Sequence, residues 1–244
     1  MDLLELLRPK NVHRKKVRIG PPSDGGYVVP EIALQSCSAL FTYGVGNDIG
    51  FEVEFVEKYN KPAYLFDHTV IRSNWNDSNL YFVNRGLGFS EQCGDICEHY
   101  ERFGVNGNIY LKVDIEGDEY AYFLKADIAK IASITAGLSL EVHWIDEPQC
   151  RASCLRVLRR LQEYFTLCHI HGNNFYGDSG LWQYGCHRLA KVFELSFINK
   201  RLVEKEEEED ISVYPIKGLD MPNTPGIPEY ELSFLKTNAG ENNG

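Results

Sequence analysis

The sequence is short of basic residues: 25 Lys and Arg stand against 35 Asp and Glu, a formal charge of −10. That deficit argues against a broad phosphate-binding surface, and so against a nucleic-acid polymer as partner, while leaving room for a local basic pocket. Also missing is any apolar run approaching the length of a membrane-spanning helix, about 20 residues, which predicts no membrane span. The opening MDLLELLRPK has no basic start, and Asp2 and Glu5 interrupt its apolar residues, so it does not read as a signal peptide. The seven cysteines are an odd number without an export signal, which predicts reduced thiols and a cytoplasmic location. Cys93/Cys97 and Cys150/Cys154 are each four apart, one helical face, but not at the spacing of a zinc knuckle or ribbon. They are expected to pack as small hydrophobes.

What is present is a regular alternation of strand and helix signals. Hydrophobic residues make up 43% of the chain, enough for a substantial core. Short apolar runs predict strands at Ser38–Tyr43, Ala63–Phe66, Leu80–Val83, Asn108–Val113 and Gly137–Val142, with Phe165–Ile170 and Val192–Ile198 as a closing antiparallel pair. Helices are expected over Phe51–Tyr59, Ser90–Phe103, Tyr120–Ile131 and Gln149–Tyr164, the last with a clear apolar stripe. The acidic run Glu204–Asp210 is expected to be a solvated loop or helix end. Alternating strands and helices predict an α/β fold with a mostly parallel sheet covered on both faces.

In such a sheet, ligands bind beyond the carboxyl ends of the strands. After the first strand comes Gly44-Val45-Gly46-Asn47-Asp48-Ile49-Gly50, where glycines let the backbone turn tightly and approach a ligand. After the second comes Asp67-His68; a carboxylate there can accept hydrogen bonds from both ribose hydroxyls of a nucleoside. The spacing GxGxxxG is not the dinucleotide fingerprint GxGxxG, yet NAD stays open on this feature alone.

The stretch Leu111-Lys112-Val113-Asp114-Ile115-Glu116-Gly117-Asp118-Glu119 resembles the LKxDxEGxE signature of the FkbM-like methyltransferases. Three further motifs resemble that group, in order along residues 15 to 200: Arg18-Ile19-Gly20 with Ser23-Asp24-Gly25-Gly26-Tyr27, then Tyr43-Gly44-Val45-Gly46-Asn47-Asp48, then His169-Ile170-His171-Gly172-Asn173-Asn174. The resemblance implies a Rossmann-like class I methyltransferase fold with a seven-stranded sheet, and S-adenosylmethionine at the first two strand ends. Cofactor contacts are then expected from Asp24, Gly25, Gly26, Tyr43, Gly44, Gly46, Asn47, Asp48, Asp67 and His68. Tyr43 stands where many such enzymes carry an acid, so the methionine end is expected to depend on Asp48 or the Asp24-Gly25-Gly26 turn. The expected organisation is a cap segment over 1–36, a methyltransferase domain over 37–235 and a flexible tail over 236–244.

Methyl transfer from a sulfonium is an in-line displacement, so the acceptor must be held close and, for a hydroxyl, lose a proton. Asp114, Glu141, His143 and His171 lie at or near strand ends and are the candidate catalytic residues. Residues two apart on a strand share a face, which pairs Glu141 with His143 and His169 with His171. If the fourth, fifth and sixth strands adjoin, Asp114, Glu141 and one of the histidines, with His171 the expected ligand, would form a carboxylate–carboxylate–imidazole set for Mg²⁺ or Mn²⁺; alternatively a histidine serves as base directly. The loop Ile71–Asn79, with Arg72 and Trp75, is a candidate lid. The resemblance implies O- or N-methylation of a polar small molecule, such as a sugar, nucleotide-sugar or surface-glycan precursor in polysaccharide biosynthesis, by a chain that could form a homo-oligomer. Two rivals stay open: an NAD-dependent oxidoreductase and a degenerate methyltransferase fold kept as a binding module.

Overall fold

Seven apolar runs assemble into one sheet: β1 Cys37–Tyr43, β2 Ala63–Phe66, β3 Leu80–Val83, β4 Asn108–Val113, β5 Thr135–Val142, β6 Phe165–Gly172 and β7 Phe193–Asn199. The computed structural model describes residues 2–46, 48–70, 79–203 and 208–236. The spatial order is β3-β2-β1-β4-β5-β7-β6. The first five strands run parallel, and β7 is antiparallel to both β5 and β6. The order reverses between β1 and β4, which opens the ligand crevice of a doubly wound sheet there. The fold is a Rossmann-like α/β fold with a mostly parallel seven-stranded sheet.

Seven α-helices are present among the described residues: α1 Leu3–Leu6, α2 Glu31–Ser36, α3 Gly50–Tyr59, α4 Ile96–Arg102, α5 Glu119–Phe123, α6 Ile128–Ile134 and α7 Pro148–Leu161. Strand alternation sends Phe41, Leu111, Leu140, Leu195 and Phe197 to a large core shared with helices including α4, α6 and α7. The opposite face packs Leu40, Leu65 and Tyr110 against α2, α3 and an N-terminal hairpin, Lys16–Ile19 with Tyr27–Pro30.

Two expected helices are shorter than the sequence suggests. Ser90–Phe103 is helical only from Ile96, because Asp95 caps α4 by accepting from the Cys97 N–H, while Cys93–Gly94 pairs with Gly86–Leu87. Tyr120–Ile131 breaks into α5 and α6, the second capped by Asp127, which accepts from the Lys130 N–H. The acidic run is partly strand: Glu208–Glu209 pairs with Lys10–Asn11, and Asp210 accepts from Lys16 Nζ at 2.8 Å. All seven cysteines are free thiols, four of them buried. No helix among the described residues is long and apolar enough to cross a membrane. The candidate lid, 71–78 with Arg72 and Trp75, lies outside the described residues.

Candidate active site

At the carboxyl ends of β1, β2 and β4 the chain encloses a cavity of about 520 Å³. The glycine loop forms one wall. Gly44 has φ +78°, and a Cβ there would run into the Asp114 carbonyl, so the ends of β1 and β4 meet more closely than any side chain allows. Asp67 ties the loop to β2: Oδ2 accepts from the Val45 and Gly46 N–H groups at 3.1 and 3.2 Å, and Oδ1 from the Thr69 N–H and hydroxyl at 2.8 and 2.7 Å. Burial pushes the Asp67 carboxyl upward, but these hydrogen bonds outweigh it and hold the pKa below the ordinary value.

Of the expected cofactor contacts, Asp24, Gly25, Gly44, Gly46, Asp48, Asp67 and His68 line this cavity. Two stand elsewhere. Tyr43 points to the opposite face of β1, buried in the core, stacked on Phe66 and bonded to His99 Nδ1 at 3.0 Å. Gly26 is tight packing: a Cβ would strike the Pro21 carbonyl and the Arg18 guanidinium that holds this turn. Asn47 lies outside the described residues.

The cavity has a strongly acidic lining. Asp24, Asp48, Asp67, Asp114, Glu116 and Asp118 contribute six carboxylates, against a single lysine, Lys112. Lys112 lies on β4, 5% exposed, its ammonium 5.1 Å from the centre of the Tyr27 ring. Burial would lower its pKa, but Glu52, Asp114, Glu141 and Asp24 outweigh that and keep it above the usual lysine value. Lys112 stands within the LKxDxEGxE stretch but was not among the expected site residues.

A second, smaller cavity, about 200 Å³, adjoins the first, with Asp24, Asp114 and Glu116 lining both. Here Asp114, Glu141 and His143 converge, with one ligand atom from each within 4.8 Å of the others. His143 Nε2 stands 3.6 Å from Asp114 Oδ1 and 3.9 Å from Glu141 Oε1. On the other side of the ring, Nδ1 meets Glu119 Oε1 at 3.2 Å, and the same oxygen accepts from the His143 backbone N–H at 3.1 Å. Burial alone would lower the His143 pKa; Glu119, Asp114 and Glu116 reverse that and raise it. Glu141 accepts from the Tyr27 hydroxyl at 2.8 Å and from Asn173 Nδ2 at 2.9 Å. Burial, with Asp114 and Glu194 nearby, pushes the Glu141 carboxyl well above its usual range. Glu119 and Tyr27 were missed as site residues, since neither falls at a strand's carboxyl end.

Backbone geometry is special at both strand ends. Glu116 after β4 and Trp144 after β5 hold φ near +56° and +55°, a left-handed conformation that costs a non-glycine residue about 1–2 kcal/mol. These turns carry the chain sharply away just beyond Asp114 and His143.

His171 does not join the cluster. The sixth strand is not a neighbour of the fifth, because β7 lies between them, and the residue opposite Glu141 is Glu194. Both His171 ring nitrogens are engaged, Nδ1 with Glu194 Oε2 at 3.0 Å and Nε2 with Glu229 Oε2 at 2.9 Å. Neither is left for a metal or a substrate proton. His143 takes the place in the metal-type cluster that the sequence reading gave to His171.

No family model matches the chain, and neither does any curated protein. Among solved structures, it is similar to the fibrillarin pre-rRNA processing protein of Methanococcus jannaschii, at 8% identity over 68% of each chain with a TM-score of 0.41. So distant a likeness carries no argument about activity or substrate. Function has to be read from the site.

Proposed function

We propose that the protein is an S-adenosylmethionine-dependent methyltransferase that methylates a hydroxyl of a polar small molecule. The observation that carries this reading is the charge of the larger cavity. S-adenosylmethionine is a net cation, with a sulfonium beside a zwitterionic amino acid, and it suits six carboxylates facing one lysine. A dinucleotide such as NAD would bring a pyrophosphate into the same acidic space. The nucleoside is assigned to the glycine loop and Asp67, the acceptor to the smaller cavity, and the methyl group to their junction near Asp114.

The acceptor oxygen attacks the methyl carbon; the O–C bond forms as the C–S bond breaks, and the electron pair stays on sulfur. His143 Nε2 takes the hydroxyl proton, while Glu119 fixes the ring from behind and stabilises the imidazolium that results. Asn173, held by Glu141, and the ring faces of Phe175 and Tyr176, 57% and 42% exposed at the cavity's edge, suit a sugar ring with polar edges and apolar faces. That supports a sugar acceptor, one of the classes the FkbM-like motifs imply; a nucleotide-sugar would have to keep its phosphates outside the four carboxylates of this cavity.

A second reading of the cluster has its own support, because Asp114, Glu141 and His143 offer hard oxygen and imidazole donors close enough to share one ion. Mg²⁺ or Mn²⁺ held there would polarise the acceptor hydroxyl and lower its pKa.

Titration calorimetry of chelator-treated protein with S-adenosylmethionine and with NAD tests the first reading, followed by transfer of labelled methyl to a panel of sugars and nucleotide-sugars with and without Mn²⁺. Binding of S-adenosylmethionine and labelled product are expected, and Asp67→Ala should weaken cofactor binding at least about tenfold. Binding of NAD alone would return the chain to the oxidoreductases. Tight S-adenosylmethionine binding without turnover on any acceptor would favour a binding module.

A further inference from the structure

Lys112 is the unusual group of the larger cavity. A lysine ammonium carries three donors, and burying one without partners is costly. Among the described residues, the Lys112 ammonium makes no hydrogen bond and no ion pair within 4 Å; it stands 5.1 Å from the centre of the Tyr27 ring. Its position is fixed rather than incidental. β4 is a central strand, paired in parallel with β1 and β5, and Lys112 stands between Thr42 and Ser139 in that register. A buried cation with open donors, lining a cavity otherwise rich in carboxylates, calls for an anionic group on the ligand.

The rest of the lining narrows what that anion is. With six carboxylates around it, a phosphate would meet one favourable charge and many unfavourable ones. A carboxylate carried beside an ammonium avoids this, because its own positive neighbour can face the acids. Asp24 suits that second role: it lines the same cavity, and Asn223 fixes it by donating to Oδ1 at 2.9 Å, leaving Oδ2 available. The Asp24 backbone is anchored as well, its N–H donating to the Asn223 carbonyl at 3.0 Å.

We propose that Lys112 and Asp24 clamp an α-amino-acid group, Lys112 binding its carboxylate and Asp24 its ammonium, so that Lys112 anchors the methionine end of the methyl donor. This rests on the methyltransferase reading above and adds the residue that distinguishes the amino-acid end from the nucleoside end. It also replaces the acid that the chain lacks at Tyr43: the methionine end is held from β4 and from the N-terminal turn rather than from the end of β1.

The test compares two ligands that differ only in the carboxylate, S-adenosylmethionine and its decarboxylated form, on wild type and on Lys112→Met, by titration calorimetry. Wild type is expected to bind S-adenosylmethionine about 10–100-fold more tightly than the decarboxylated ligand, the range of one charge-assisted contact. Lys112→Met should lose that preference while binding the decarboxylated ligand within about threefold of wild type, which also reports that the variant is folded. Equal losses for both ligands would make Lys112 structural and overturn the proposal, as would an unchanged preference in the variant or no preference in wild type. Wild type binding neither ligand would instead bring down the methyltransferase reading, and the clamp with it.

Discussion

The two faces of the central sheet use the same strands to opposite ends. On one face, Val113, Leu140, Val142, Leu195 and Ile170 are buried among apolar side chains. One residue away on each strand, the other face presents Lys112, Ser139, Glu141, Glu194, Ser196, His169 and His171, also buried, forming a polar band. Strand alternation makes the separation possible, since neighbouring residues point to opposite faces. The apolar face gains stability from burial. The polar face needs partners one by one: Glu141 has Tyr27 and Asn173, Glu194 has His171 and Asn223, and His169 Nε2 has Asp220 at 2.8 Å. Tyr27 comes from the N-terminal hairpin and Asp220 and Asn223 from residues 210–229, segments outside the sheet, while His171 lies on β6 and Asn173 follows just after it. Over the carboxyl ends of β4 and β5 and along β6 and β7, the apolar core is thus built on one face and the polar groups are held on the other; toward β1 and β2 that other face is apolar as well.

Substitutions on the two faces should therefore separate function from stability. The largest effect is expected for His143→Gln, which keeps a polar side chain but removes the base: turnover should fall by about 10²–10⁴-fold while S-adenosylmethionine affinity stays near wild type. The acid limb of the wild-type pH–rate profile should also lie above the ordinary imidazole value of about 6.5, because the surrounding carboxylates favour the protonated ring and turnover needs it neutral. Equal loss of binding and turnover would move His143 to a structural role. Next comes Leu140→Ala on the apolar face, beside Glu141 in sequence but opposite in direction. It should cost about 2–5 kcal/mol in urea unfolding, with kcat per folded molecule little changed. A large fall in kcat would mean that the faces are coupled and that the comparison is too simple.

How much of this was legible depended on how local each signal is. Ala63–Phe66, Leu80–Val83 and Asn108–Val113 were readable to the residue, because each is an apolar run closed by a turn or a charged residue. Asp67, the glycine loop, Asp114 and Glu141 line the two cavities, a placement readable from sequence because strand ends are where such sheets open their crevices. His171 was misplaced for a non-local reason: nothing near residues 165–199 announces that β7 inserts between β5 and β6, and that insertion puts Glu194 opposite Glu141. Tyr43 was misplaced by one step of alternation, as it adjoins the glycine loop in sequence but faces the other core. Lys112 had a signal that went unused, for a charged residue inside a strand buried on both faces needs a partner from somewhere.

The mildest test sharpens the polar face through pH. Burial pulls the His171 pKa down, but the charge and hydrogen bond of Glu194, together with the hydrogen bond to Glu229, outweigh it and raise the value to about 10. An unfolded histidine titrates near 6.5. The folded chain therefore holds this proton over a range where the unfolded chain has released it. Stability from the pair is fully present below about pH 6.5 and is lost as pH rises through about 10. One proton over the two units from pH 7 to pH 9 corresponds to about 2.7 kcal/mol, so a loss on the order of 2 kcal/mol is expected for wild type. His171→Gln should be less stable at pH 7 and nearly flat across that window, apart from the titrations it shares with wild type. Urea midpoints at pH 7, 8 and 9 for both proteins measure the difference. Parallel curves would mean that His171 is buried neutral, and that the segment carrying Glu229 is held to the sheet by packing rather than by charge.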